Sequence, residues 1–354
     1  MNRLVKVLFL FGRLFSPFYS AIMRVRAFLY RNNFILQSHR LPVPVVSVGN
    51  LTMGGTGKTP MVLYAARYFL GLGRKPAIVS RGYGGKAFGR VNVVSDGKKI
   101  LMSPDMAGDE PFMLAHALPG VPVLTGTERF PAALAAIRDF GADVIVMDDG
   151  FQHLALVRDV DLVLFSAKTL LGSGWVFPGG ELREPFSALK RAGAFIVTGV
   201  DNGNRTAVDS FCRLLAGFFP EKPLFQGEYL PVRIQHSQHS RIFSVEEARR
   251  IPLFAFAGIA NPAAFEDTLV KQGFLLTGFQ AFPDHYPYTA EDMNRLVGAA
   301  LVKRAAALIT TEKDFVKLKP FLGKFPVLAL KIELLMGEDF DCYLRESLRT
   351  VSGN

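Results

Sequence analysis

The chain has 354 residues, 49% of them hydrophobic, with 41 Lys and Arg against 31 Asp and Glu and only two cysteines. That length exceeds one typical core and suits two, and a formal net charge of +10 favours polyanions: nucleic acid, an anionic membrane surface or phosphorylated substrates. Cys212 and Cys342 alone supply neither a disulfide framework nor zinc-ligand spacing, which fits a reducing cytosol.

The opening segment, "MNRLVKVLFLFGRLFSPFYSAIMRVRAFLYR", is rich in Phe and Leu but broken by Lys6, Arg13, Arg24 and Arg26. No uncharged run reaches the roughly 18 residues a spanning helix needs. No small-x-small cleavage site follows the apolar run, as a secretory signal requires. At about 100° per residue, Leu4, Leu8, Phe11, Phe15, Phe18 and Ile22 share one helix face, and Lys6 and Arg13 fall opposite. Apolar surface beside cations is the pattern of a helix lying in a membrane interface. A core-packed helix with a solvated basic face is the alternative. Pro17 can kink or split the helix, so the phase across it stays open.

From Val43 onward, short apolar runs alternate with amphipathic segments. "VPVVSV" reads as a buried strand and "GKTPMVLYAARYFLGLG" as a helix ending at Gly71 or Gly73. "PAIVS" is the next strand, and "VNVVSDGKKI" a hairpin around Asp96-Gly97. "GDEPFMLAHAL" and "RFPAALAAIRDFG" are helical, while "VPVLTG", "DVIVMDDG", "DVDLVLF" and "AFIVTG" are strands. This alternation predicts a mostly parallel sheet covered by helices on both faces. The stretch from Asp201 to Arg250 reads as less regular and holds the boundary. A second alternation follows: "PLFAFAGIA", a helix from Pro262, "FLLTGFQAF", a helix from Thr289, "AALITTEKD", "FPVLALKIEL" and a final helix. The expected organisation is an amphipathic segment over 1–40, a nucleotide-binding domain over 41–215 and a smaller C-terminal α/β domain over 216–354. A cleft between two such units, at the carboxyl ends of their strands, is the default ligand site.

The stretch "VSVGNLTMGGTGKTP" ends like a phosphate-binding loop, G-x-x-x-x-G-K-[ST]. Gly57, Lys58 and Thr59 supply its end, but Thr52 stands where the first glycine belongs. Gly54, Gly55 and Gly57, with Thr56 between them, still let backbone N–H groups turn inward around phosphate oxygens. Lys58 can reach the β and γ phosphates and Thr59 can ligate Mg²⁺. An apolar strand precedes the loop and an amphipathic helix follows it, as a P-loop NTPase-like fold requires. "DVIVMDDG" supplies the complementary carboxylates: an apolar strand running into Asp148 and Asp149. "AGDEP" sets Asp109 and Glu110 before an apolar helix, either as N-terminal caps or as a base for an acceptor hydroxyl. "SRGYGG" carries Arg81 and Tyr83 on a loop, "LREP" carries Arg183 and Glu184, and "FPDHYPY" sets His285 beside Asp284. His236 and His239 in "HSQHS" read as solvated.

Seven motifs, "VGNLTMGGTGKTP", "SRGYGG", "GDEP", "DDGFQH", "LREP", "DHY" and "TEKD", occur in order from about Pro44 to Lys317. Together they resemble the tetraacyldisaccharide 4′-kinases, the lipid A 4′-kinases of Gram-negative bacteria. The basic amphipathic N-terminus is similar to that family's membrane-docking helix. The resemblance implies transfer of the γ-phosphoryl group of ATP to a sugar hydroxyl of a membrane-embedded acylated disaccharide phosphate. It makes Lys58 and Thr59 the holders of phosphates and metal, and Asp109 the base for the 4′-hydroxyl, tuned by His285. It gives Asp148 and Asp149 to Mg²⁺, without choosing which is the direct ligand. It puts Thr311 to Asp314 near the adenosine end. Arg81, Tyr83, Arg129, His153, Arg183 and Glu184 become cleft residues. Where the family often carries a second His, this chain has Tyr286. The implied protein is a monomer, peripheral on the cytoplasmic face of the bacterial inner membrane.

Two rivals share the loop. A membrane-surface ATPase switch of the partitioning type carries a signature Lys where this chain has Met53. A nucleotide-binding regulator would bind ATP without transferring phosphate. A nucleic-acid partner fits the charge, but no reading motif accompanies it.

Overall fold

The computed structural model describes residues 3–87, 89–237, 242–259, 262–284 and 286–352. The chain forms two compact units, Met1–Glu228 with Leu334–Asn354, and Tyr229–Glu333.

The first unit begins with α1 (Arg3–Gly12) and α2 (Ser16–Arg31). It continues through β1 (Val45–Asn50), α3 (Lys58–Gly71), β2 (Pro76–Ser80), β3 (Asn92–Asp96), α4 (Pro104–Ala107) and α5 (Asp109–Ala117). Then come β4 (Pro122–Thr125), α6 (Arg129–Phe140), β5 (Val144–Asp148), β6 (Val160–Ser166), a 3-10 turn (Phe186–Arg191), β7 (Ala194–Thr198), α7 (Arg205–Phe218) and the start of β8 (Leu224–His236). Its strands lie in the order β8-β7-β6-β1-β5-β2-β4-β3. Every pair is parallel except β3 with β4. Strands β1, β2, β5 and β7 are buried along their whole length, which is why they read as continuous apolar runs. Phe151, Val163, Phe165 and Phe195 pack one core, and Val79, Ala132, Ala136 and Met147 another. β1 sits between β5 and β6, so the strand order reverses beside it, the place where open α/β sheets bind ligands. The register Val48↔Asp148 brings the loop after β1 level with the acidic end of β5.

The second unit holds the rest of β8, β9 (Ile242–Phe243), α8 (Val245–Arg249), β10 (Pro252–Ala257), α9 (Pro262–Lys271), β11 (Leu275–Ala281) and α10 (Ala290–Val302). It closes with β12 (Ala307–Thr311), α11 (Glu312–Leu318), a 3-10 turn (Lys319–Phe321) and β13 (Val327–Met336). Its parallel order is β11-β10-β12-β13. Phe265 and Leu269 of α9 pack one core, and Met293 and Leu296 of α10 another. The last helix, α12 (Glu338–Ser352), returns to the first unit, where Asp341 accepts a hydrogen bond from Tyr64 Oη at 2.7 Å.

Three expectations about organisation meet a different structure. The amphipathic segment is two helices rather than one, broken at Arg13–Phe15, with Pro17 in the first turn of α2, where its missing N–H costs nothing. The unit boundary falls inside β8 at Glu228 rather than near 215, and 334–354 belongs to the first unit. The stretch 201–250 contains regular α7 and β8. α7 buries Val208, Phe211 and Leu215 at helical spacing, but "DNGNRT" before it hides its start. β8 carries Pro231 and is largely unburied, so it lacks the apolar signature of its neighbours.

The outer surface of α1 and α2 is strongly apolar. Leu8, Phe11, Phe15, Phe18, Ile22, Val25 and Phe28 are each more than half exposed. The side chains of Leu4 and Lys6 lie outside the described residues. The inner side of α2 is docked: Ser16 Oγ donates to Val176 O at 2.6 Å and accepts from Gly179 N at 3.0 Å. Tyr19 packs edge-on against Phe177, and Arg13 lies over the ring of Trp175. Among the described residues, no helix is long and apolar enough to cross a membrane.

Candidate active site

The loop from Leu51 to Gly57 joins the centre of the sheet to α3. Gly54 (φ 113°) and Gly57 (φ 80°) are in the left-handed region, open to glycine without strain. A Cβ added at Gly54 or Gly55 would meet nothing within 4 Å, so the inner side of the loop faces free space of the kind a phosphate chain fills. The outer side is pinned. Met53 N–H donates to Glu181 O at 2.7 Å, and Arg183 N–H to Leu51 O at 2.8 Å. From within, Asn50 Nδ2 donates to Thr52 O at 2.6 Å, and Thr198 Oγ1 to Thr56 O at 2.9 Å. Thr52, at the missing glycine, is buried and forms a short antiparallel bridge with Leu182. Its backbone does not take a positive φ, so a side chain is tolerated there. Beyond the loop, the free amides at the start of α3 add their dipole.

Two adjacent carboxylates meet this loop in different electrostatic states. Asp149 sits just past β5 at φ 51°. Lys58 Nζ lies 3.4 Å from its Oδ1, and Arg183 Nη1 lies 2.8 and 2.9 Å from its two oxygens. Burial pushes its carboxyl up, but Lys58 and then Arg183 outweigh that and hold it below the ordinary value. Asp148 is fully buried, and burial, with Glu110 and Asp149 beside it, pushes it up to about 7 against the pull of Lys58 and Ser80. Its Oδ2 accepts from Ser80 Oγ at 3.1 Å, while its Oδ1 is buried without a hydrogen-bond partner. An orphaned carboxylate oxygen at a strand end, next to a phosphate loop, is a fitting ligand position for a hard divalent cation. Among the described residues, no group of three His, Cys, Asp or Glu is clustered as a metal cage. Mg²⁺ needs none, since it takes one or two carboxylates and completes its shell with phosphate and water. Thr59, the second residue of α3, follows Lys58 at this end of the helix.

Lys58 and the carboxylates are tied together by residues that sequence reasoning gave no role. Asn50 Oδ1 accepts from Lys58 Nζ at 3.3 Å, and Gln152 Nε2 donates to Asn50 O at 2.9 Å. Gln152 Oε1 in turn accepts from Arg183 Nη1 at 3.3 Å. Asn50 and Gln152 lie inside quoted motifs, so their signal was position alone; Ser80 carried none beyond being polar at a strand end, and Glu110 read only as a cap or a base for the acceptor, not as a neighbour of Asp148.

Asp109 opens α5 after Gly108, whose φ is 88°. A Cβ on Gly108 would lie 2.6 Å from Tyr83 O, and one on Gly85 2.5 Å from Met106 O. The "SRGYGG" and "GDEP" segments are therefore pressed backbone to backbone, which carries Asp109 to the same corner as Glu110 and Asp148. Tyr83 is exposed. Arg129 is buried, and among the described residues it has no acidic partner: its Nη1 donates to Gly126 O and Thr127 O, and its Nε is unpartnered. Burial, then Arg81, lowers it to about 10 against the pull of Asp149 and Asp148. His153 Nε2 accepts from Arg129 N at 3.4 Å. Arg81, Arg129, His153 and Arg183 thus form a basic group around the two aspartates. Glu184 is placed apart, fully buried with both oxygens 3.0 Å from Arg191 Nη2. Arg191 lies over the Phe151 ring.

In the second unit, Asp314 is buried and caps α11 reciprocally with Thr311. Thr311 Oγ1 accepts from Asp314 N at 3.1 Å and donates to Asp314 Oδ2 at 2.8 Å. Gly258 N also donates to Oδ2, at 3.0 Å. Asp284 pairs with Lys313 Nζ at 3.1 Å. His285 lies outside the described residues.

One pH effect follows from His153. Burial, then Arg129, Arg158, Arg26 and Arg81, pushes its imidazole down to about 4. The unfolded chain takes up a proton near pH 6.5, and the folded chain only near pH 4. The stability this neutral ring contributes is present above pH 6.5 and is lost as pH falls toward 4. Denaturant midpoints across that window should fall more steeply for the native chain than for His153→Gln. Parallel slopes would remove His153 from the linkage.

A buried strand, a glycine loop opening a helix and a neighbouring strand ending in paired aspartates define a P-loop nucleotide-binding protein of the phosphoryl-transferring kind. A family model described as tetraacyldisaccharide-1-P 4′-kinase matches residues 8–349. The tetraacyldisaccharide 4′-kinase of Desulfotalea psychrophila is 45% identical over 335 residues, 95% of each chain. That of Syntrophus aciditrophicus is 40% identical over 327 residues, 90% of this chain and 87% of its own. The crystal structure of LpxK from Aquifex aeolicus in complex with ATP has a TM-score of 0.76 and 31% identity, covering 94% of this chain and 97% of that one. The chain belongs to the tetraacyldisaccharide-1-P 4′-kinase family.

Proposed function

We propose that the chain transfers the γ-phosphoryl group of ATP to the 4′-hydroxyl of a tetraacylated glucosamine disaccharide 1-phosphate in lipid A biosynthesis. The observation that carries this reading is the Lys58–Asp149–Arg183 cluster at the mouth of an open glycine loop. The amides of Gly54, Gly55, Thr56 and Gly57 bind the phosphate oxygens, and Lys58 spreads charge from the β and γ groups. Asp148, Asp149 and Thr59 would hold Mg²⁺, which would neutralise the negative charge that develops during phosphoryl transfer. Asp109 takes the proton of the 4′-hydroxyl as its oxygen bonds to the γ-phosphorus; the bond to the β-γ bridging oxygen breaks and ADP leaves. Arg81, Arg129 and Arg183 surround the transferred group, and Tyr83 and His153 line the acceptor side. Thr311 and Asp314 fix the start of α11. Glu184 positions Arg191 and with it the segment that carries Arg183.

The acceptor's acyl chains stay in a bilayer, so the cleft must come to the membrane. The exposed apolar surface of α1 and α2 serves that purpose, as a peripheral contact on the cytoplasmic face of the inner membrane, by a monomer. Product mass after incubation with ATP, Mg²⁺ and a defined acylated disaccharide 1-phosphate should rise by one phosphate. ATP consumption stimulated by vesicles without that product would favour the ATPase switch instead.

The membrane contact has its own test. Deleting the N-terminal segment would also strip Ser16 and Tyr19 from the core, so substitution is cleaner. Phe11→Ser/Phe15→Ser/Phe18→Ser removes exposed apolar area only. Each buried Phe contributes about 1.5–3 kcal/mol. Vesicle affinity should fall by on the order of a hundredfold or more, with the melting temperature unchanged. Unchanged co-flotation would retire the interfacial surface.

A further inference from the structure

The flank of α2 covers a cavity of about 700 Å³, of which the steps above use only the Glu184–Arg191 pair in its wall. Its apolar lining includes Met23, Ala27, Phe28, Leu154, Leu156 and Ala188. That volume lies within the range of small-molecule sites, roughly 300–1,000 Å³. Five cations also line it. Two are consumed by carboxylates: Arg158 holds Asp161 at 2.8 Å, and Arg191 holds Glu184. Arg24, Arg31 and Lys190 line it as well, and among the described residues none of them has a carboxylate or hydrogen-bond partner.

The two flanks of α2 face different places. Arg26 Nη2 donates to Gln152 O at 3.1 Å, on the flank that meets the nucleotide network. Arg24 lies two residues away, about 160° around the helix, and Arg31 shares its side. The unpaired cations of the cavity therefore lie on the side of α2 turned away from Arg26. Phe28 belongs both to the cavity wall and to the exposed apolar surface of the helix, so the two are continuous.

We propose that this cavity is a binding site for an anionic phospholipid of the bilayer, distinct from the acylated disaccharide that is phosphorylated. One acyl chain enters between α2 and the Leu154–Leu156 segment, while the headgroup phosphate sits on Arg24, Arg31 and Lys190. The unpaired cations select an anion, the apolar interior selects a chain, and the shared Phe28 opens the site to a membrane rather than to water. This rests on the membrane contact proposed above.

The test uses the full chain with vesicles of phosphatidylcholine containing phosphatidylglycerol that carries a photoreactive diazirine on its acyl chain. Mass mapping should find adducts within 23–31 and 154–157. Arg24→Gln/Arg31→Gln/Lys190→Gln should cut that labelling on the order of tenfold. Ala27→Trp, which narrows the cavity, should cut it too, with the melting temperature showing that each variant folds. Diazirine-phosphatidylcholine should label the pocket far less, and an equimolar acylated disaccharide 1-phosphate should leave the labelling intact. Equal labelling by both phospholipids, or displacement by the disaccharide, overturns the proposal. Adducts elsewhere on a chain that still floats with vesicles overturn it while leaving the membrane contact standing. A chain that does not float removes both.

Discussion

Asp109→Ala should nearly abolish phosphoryl transfer while largely preserving the affinity for Mg·ATP. The two effects separate because the residues that face the triphosphate are held by bonds of their own. The loop is held by Asn50, Glu181, Arg183 and Thr198, and Lys58 by Asn50 and Asp149. Asp109 sits at the first position of α5, a partly buried carboxylate at a helix start. A positioned general base contributes about 10²–10⁴ in rate, so kcat should fall by about a thousandfold. Loss of an acidic residue from the first turn costs about 0.3–1 kcal/mol of stability, too little to unfold the chain. Calorimetry of nucleotide binding beside product mass separates the cases. Equal losses in both would move Asp109 to a structural role. Glu110→Gln is the control: Glu110 acts on Asp148, so it should alter metal dependence more than the acceptor step. If Glu110→Gln costs as much as Asp109→Ala at saturating Mg²⁺, the base has been assigned to the wrong neighbour.

The parts of the site that sequence could reach are those in which one short segment carries the whole signal. β1, the glycines and α3 are contiguous, so apolar run, turn and amphipathic helix are read in a single pass. The Asp148–Asp149 pair is equally local, because the strand before it is buried on both faces and therefore unbroken by polar residues. What could not be read are bonds between segments. Asn50 and Gln152 are ordinary polar residues at a strand end and in a turn, and only the parallel register of β1 on β5 makes them neighbours. The difference between Asp148 and Asp149 is likewise invisible, since it comes from burial and Glu110 at the first and from Lys58 and Arg183 at the second. Arg183 and Glu184 are consecutive, yet one faces the phosphate loop and the other a buried Arg191. In the second unit, "TEKD" had the composition of a ligand loop and the geometry of a helix cap. A capping box and a binding motif use the same residues for the same reason, a free amide awaiting an acceptor.

Lys58→Ala should lower kcat/KM for ATP by about a thousandfold, near 4 kcal/mol of transition-state stabilisation. The ammonium is close to three groups at once: the loop interior, Asn50 Oδ1 at 3.3 Å and Asp149 Oδ1 at 3.4 Å. In the free chain it helps hold Asp149 ionised; in the proposed nucleotide complex the same charge would lie beside the β and γ oxygens. Its removal weakens the hold on the phosphates and leaves Asp149 to Arg183 alone, which pulls that carboxylate away from the metal position. Both consequences act on the transferring group, so kcat should fall along with affinity. Lys58→Arg should rescue little, because a planar fork cannot replace a compact ammonium between an amide oxygen and a carboxylate in so narrow a space. Arg183→Gln provides the contrast. It frees Asp149 from its bidentate partner but keeps Lys58 in place, so activity should drop by less and should recover in part at higher Mg²⁺. Near-normal turnover of Lys58→Ala would remove the glycine loop from the mechanism.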